Sequence, residues 1–136
     1  MVSLLRSAFA IVVLASFACA PATPVAPSQP LRQTVDDLTI QVALNPSPPG
    51  AASAITVEVI LTDPAQQPVA QGRVAVALES QGHAMAPNFA EATPRGNGVY
   101  VATLKPPGMS GDHRLTIDLQ WQDRFYRAVF APIAIR

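Results

Sequence analysis

From Asp37 onward the chain alternates apolar and polar residues with a period of two. Leu38, Ile40, Val42 and Leu44 are interleaved with Thr39, Gln41 and Ala43, and NPSPPG stops the run. Ile55, Val57, Val59 and Leu61 repeat the pattern until DPAQQP, and Val74, Val76 and Leu78 repeat it again. A GNG turn precedes VYVATL, KPPGMSGD precedes LTIDLQW, and QDR precedes FYRAVFAPIAI. Alternation of this kind turns one side of an extended chain toward a core and the other toward water, so each run predicts a strand. Six strong strands and a weak one near Phe89, spaced by proline and glycine turns, predict an all-β antiparallel sandwich of about seven strands. No stretch outside the first 20 residues has a convincing helical period.

The strand-bearing segment, 37–136, is long enough for one core and too short for two. Leu115, Ile117, Leu119 and Trp121 share a phase, which assigns Trp121 to the core. Tyr100 should pack inward with Ala102 and Leu104, and its hydroxyl then needs a partner at the sandwich edge. The last strand is unusual because both of its phases are apolar: Phe125, Val129 and Ile133 in one, Tyr126, Ala128 and Phe130 in the other. Either it is covered on both sides, by a membrane neighbour or a second copy, or a bulge at Pro132 switches its phase. The bulge is the preferred account.

Upstream of the strands the pattern changes completely. MVSLLRSAFAIVVLASFACA has one early cation, Arg6, and an apolar run from Ala8 to Leu14. This is the form of a secretory signal peptide, with a run too short for a spanning helix of about 20 residues. The single cysteine, Cys19, lies where the signal ends, between Ala18 and Ala20. The arrangement resembles a bacterial lipobox, whose cysteine is lipidated and becomes the first mature residue, although Ser16 stands where that pattern has leucine. Cleavage after Ala20 or Ala22 is the competing reading. Residues 1–19 are therefore expected to be a lipoprotein-type signal. Residues 20–36, with four prolines between 21 and 30, are expected to form an extended solvated linker.

Composition removes several function classes. Nine basic and nine acidic residues cancel, the arginines are scattered, and nucleic-acid binding has no electrostatic footprint. With one cysteine, no intrachain disulfide can form. Ser80, His83 and Asp112 can be written as a catalytic set, but no strained nucleophile turn accompanies them, and no enzymatic activity is expected. Glu58, Glu79, Glu91 and Asp118 are expected on solvated strand faces.

One feature does suggest chemistry. The chain has two histidines and three methionines, and places His83 beside Met85 in QGHAMAPN and Met109 beside His113 in MSGDH. Imidazole nitrogen and thioether sulfur together suit a soft ion such as Cu(I). If the two loops lie at one end of the sandwich, His83, Met85, Met109 and His113 form a four-ligand copper set. The plainer alternative makes Met85 an apolar plug over the core, His83 a surface residue, and His113 a residue on the exposed face opposite Leu115.

The order of PV-x-x-G-x-V at Pro68 to Val74, H-x-M-x-P at His83 to Pro87, G-x-Y at Gly98 to Tyr100, and M-x-G at Met109 to Gly111 resembles the YtkA-like and FixH-like domains. The resemblance covers roughly residues 36–135 and implies an exported or membrane-anchored immunoglobulin-like sandwich. FixH-like members are associated with assembly of a membrane cation pump and respiratory oxidases, which implies an accessory role at the cell envelope and a membrane-protein partner. Many members carry further methionines in the loop, where this chain has Glu79, Ser80 and Gln81. The expectation is an exported, lipid-anchored accessory domain in copper handling or respiratory-complex assembly. Its rival is an interaction or adhesion module whose loops bind protein and no metal.

Overall fold

The computed structural model describes residues 30–136, so Cys19, the signal and most of the expected linker lie outside the described residues. Nine strands form: β1 (Leu31–Val35), β2 (Leu38–Asn45), β3 (Ile55–Thr62), β4 (Arg73–Ser80), β5 (Asn88–Glu91), β6 (Thr93–Gly96), β7 (Val99–Leu104), β8 (Gly111–Trp121) and β9 (Arg124–Ile135). They pair antiparallel in two sheets, β1-β2-β3-β7-β6 and β5-β4-β8-β9. Without β1, this is the strand order of an immunoglobulin-like sandwich, four strands facing four.

The predicted alternation is what closes the core. Ile55, Val57, Val59 and Leu61 of β3, with Tyr100, Ala102 and Leu104 of β7, lie against Val74, Val76 and Leu78 of β4 and Leu115, Ile117 and Leu119 of β8. Each such aliphatic side chain contributes about 1.5–3 kcal/mol on leaving water. The polar alternates face outward, as Glu58 and Gln120 do.

Two strands exceed the expected seven. β1 occupies residues expected as linker, because Leu31, Gln33 and Val35 present one half-buried face and the chain doubles back at Asp36–Asp37. Both aspartates have positive φ, 46° and 73°, the signature of a two-residue turn that matches strand twist. β6 has no apolar alternation and contains Pro94. It is an exposed edge strand, set by pairing with β7 after the chain crosses between sheets at Ala92.

The terminal strand settles its two phases by a bulge. Tyr126, Ala128 and Phe130 are buried before Pro132, Ile133 and Ile135 after it, and the register against β8 shifts between His113 and Leu115. Its other face is exposed, with Phe125 and Val129 outward. Trp121 falls short of the expected core position. It is half-buried as the last residue of β8, beside the Gln122–Asp123 turn, where it packs on the core margin 6.5 Å from the Tyr126 ring.

Tyr100 has the partners its burial demands. Its hydroxyl donates to the Val69 carbonyl at 2.7 Å and accepts from the Gly72 amide at 2.9 Å. Both belong to the connection that carries the chain from β3 in one sheet to β4 in the other. Beside them, Gly98 has a φ of +72°, and a Cβ there would lie 2.6 Å from the Leu61 carbonyl oxygen.

Tyr100→Phe is expected to keep the fold and cost about 1–3 kcal/mol, the penalty for leaving an amide and a carbonyl without their partner. Urea denaturation measures it, and a loss near zero would show that the hydroxyl bridge does not hold this connection. Gly98→Ala should destabilise by more than about 1 kcal/mol in the same assay, since the new Cβ has neither the backbone conformation nor the space it needs.

Candidate functional site

The antiparallel pairing of β4 with β8 decides where the two loops lie. The last residue of β4, Ser80, is opposite His113 near the start of β8, and the Gln81 amide donates to the Asp112 carbonyl at 3.0 Å. The β4–β5 loop, residues 81–87, and the β7–β8 connection, residues 105–110, therefore emerge from the same end of the sandwich. The Asn88 side-chain amide ties them together by donating to the Lys105 carbonyl at 2.6 Å. The condition for a shared site, that both segments occupy one end, is met.

Within that end the four residues differ. His113 is 4% exposed and points to the core side, on the same face as Leu115 and not opposite it. Residues two apart on a strand share a face, so the surface position considered for His113 does not occur. Met85 is 54% exposed. Met85 and His113 nevertheless line one small crevice of about 30 Å³, with Leu78, Ser80, Asn88 and Pro107. A space of that size is enough to hold a water molecule. His83 is exposed two residues before Met85, whose amide donates to the His83 carbonyl at 2.9 Å. Met109 is half-buried in the adjoining connection and is not among the crevice residues. The structure thus brings together Met85 and His113, and leaves His83 and Met109 nearby on the same end.

The His113 ring is held in a defined orientation. Its Nδ1 lies 3.1 Å from the Gly111 carbonyl oxygen. A carbonyl can only accept, so Nδ1 donates in this bond and Nε2 is the ring nitrogen left to meet a ligand. No hydrogen bond to Nε2 occurs among the described residues, and no buried side-chain nitrogen or oxygen there lacks a partner, so Nε2 retains contact with the crevice or solvent. Anchoring of one ring nitrogen by a backbone carbonyl is how metal-ligating histidines are commonly oriented. Among the described residues no group of three or more His, Cys, Asp or Glu side chains is placed to hold a metal ion. The donors at this end are thus one ordered imidazole and one thioether, with a second of each adjacent.

The catalytic set written from sequence is not assembled. Ser80 shares the crevice with His113, while His83 is out in the loop, and no side-chain hydrogen bond joins Ser80, His83 and Asp112 among the described residues.

A second concavity, about 460 Å³, lies on the outer face of the four-stranded sheet between Arg73, Glu91, Asp118 and Phe125. Its charges are already paired. Arg73 meets Glu91 at 3.1 Å, and Arg127 grips Asp118 through two bonds of 2.7 and 3.0 Å. The hydrogen bond to Asp118, with its negative charge, raises the Arg127 pKa above its ordinary value.

No family model, no curated protein and no solved structure matches the chain. The short motifs nonetheless have distinct places. Pro68 to Val74 and Gly98 to Tyr100 meet in the hydroxyl bridge of Tyr100, whereas His83 to Pro87 and Met109 to Gly111 share the opposite end.

The exposure difference between the two methionines has a direct consequence. Under limiting peroxide Met85 should convert to the sulfoxide well ahead of Met109, as read by peptide mass mapping. Equal rates would mean that Met109 is as open as Met85.

Proposed function

We propose that this protein is an exported, lipid-anchored accessory domain of the cell envelope, related to the YtkA-like and FixH-like domains, that handles Cu(I) at the His/Met end of its sandwich. The observation that carries the reading is the convergence of Met85 and His113 on one crevice, with the His113 ring held through Nδ1. Thioether and imidazole donors select a soft ion over magnesium or calcium, which take oxygen ligands. Two close donors hold such an ion weakly enough to release it, and His83 or Met109 completes the set by a loop movement. Weak, incomplete coordination suits transfer to a membrane protein better than storage. The competing reading, a protein-interaction module, draws on the exposed Phe89, Phe125 and Val129 of the sheet that contains β5 and β9.

Titration of the full chain with Cu(I) against a competing chelator tests the metal. Met85→Ala and His113→Ala are each expected to weaken binding about tenfold or more, a loss of 1.4 kcal/mol, with a smaller effect of His83→Ala. Failure of the unaltered chain to compete would remove the copper reading and favour the interaction module.

A further inference from the structure

The two ends of the sandwich differ in charge, and the chain enters at one of them. β1 begins at Leu31, paired with Val42 toward the end where β2 finishes, and the 45–54 connection leaves from there. The amide of Ala51 donates to the Arg136 carbonyl and the amide of Gly108 to the Ala51 carbonyl. These bonds gather the amino-terminal entry, the 46–54, 81–87 and 105–110 connections and the carboxyl terminus at the His/Met end. The three connections, PSPPGAASA, QGHAMAP and KPPGMS, contain one residue of fixed charge, Lys105, with exposed Asp112 and Arg136 beside them. At the far end the connections carry Asp36, Asp37, Asp63 and Asp123, with Arg73, paired to Glu91, Arg95 and Arg124 on the adjoining strand ends, which leaves that end acidic by about two charges.

We propose that the His/Met end rests against the phospholipid surface, with Met85 and the 46–54 loop at the contact and the acidic end pointing away. The proposal rests on lipid attachment at Cys19, the anchor in the function proposed above. Twelve residue steps separate Cys19 from Leu31. A proline-rich chain of that length reaches ~37 Å at about 3.1 Å per residue. Strand β8 alone, running from the His/Met end to the opposite one, is ~33 Å long at 3.3 Å per residue. Turning the acidic end to the bilayer would stretch the tether almost to its limit, whereas the His/Met end is at the tether's point of entry. Charge acts in the same direction. A bilayer with anionic lipid repels the excess of aspartates over arginines at the far end, and the weakly charged loops approach it with little loss of hydration. The Met85–His113 crevice then opens beside the membrane, where a membrane-embedded copper partner would meet it.

The single tryptophan provides the test, because Trp121 is at the far end of β8. Full-length protein purified with its anchor is reconstituted in phosphatidylcholine vesicles brominated close to the headgroup, with and without anionic lipid. Met85→Trp and Ala52→Trp, each in a Trp121→Phe background, should lose roughly half of their emission to the bromines, while Trp121 in the unaltered chain, ~33 Å away, should keep its own. Both new tryptophans replace exposed loop residues, so a folding failure at one leaves the other to report. Quenching of Trp121 to the same extent, or of neither loop residue in anchored protein, would overturn the orientation and leave the anchor standing. Intact mass of the mature chain distinguishes the other failure. A mature chain that carries no lipid on Cys19 would overturn lipid attachment there and the orientation with it.

Discussion

The Tyr100 hydroxyl joins two parts of the chain about 30 positions apart, accepting from Gly72 and donating to Val69. The connection it pins is the one that carries the chain from the first sheet to the second. Between β3 and β4 the chain leaves one sheet for the other, and a segment of ten residues with two prolines has little regular pairing of its own. The phenol enters the core from β7 and satisfies an amide and a carbonyl that would otherwise be left facing apolar side chains. Gly98, with its left-handed backbone and a carbonyl that accepts from Leu61, packs against the same place. One end of the molecule is thereby closed by a dense set of backbone and phenol bonds.

Closure at one end leaves the other to its loops. The β4–β8 register, Ser80 opposite His113, brings the His83–Met85 loop and the Met109 connection together. Neither loop contributes to the sheet ladders, so their side chains can change without cost to the core. The exception is His113, which belongs to a strand and lies inward on the same face as Leu115, with one nitrogen tied to Gly111. A buried, oriented imidazole with an exposed methionine beside it joins a fixed donor to an adaptable one.

Much of this was legible from side-chain period. The inward sets of β2, β3, β4, β7 and β8 follow directly from alternation, whereas the two apolar phases of β9 fit either cover on both faces or a bulge, and the register shift against β8 shows the bulge. β1 falls in the stretch expected as linker, since prolines precede it and its half-buried positions, Leu31, Gln33 and Val35, are not all apolar. β6 has no such signal, since an exposed edge strand with a proline carries neither apolar alternation nor strand propensity. Trp121 obeys the phase but is the last residue of its strand, where burial is partial, and period does not report where a strand stops.

Ligand chemistry singles out His83, Met85, Met109 and His113 in the sequence, and says nothing of how they are arranged. By itself the sequence determined that the chain builds a two-sheet core, that Tyr100 lies inside it needing polar partners, and that its histidines and methionines beyond Met1 fall in two short stretches, 83–85 and 109–113. These are local consequences of alternation, turn residues and ligand chemistry. Only the tertiary structure decided that both loops leave one end, that Met85 and His113 share a crevice while His83 and Met109 stand beside it, and that the chain enters at that same end. Those facts depend on which strands become neighbours and in what register. Pairing is set by the packing of the whole core, and no short stretch of the chain contains it.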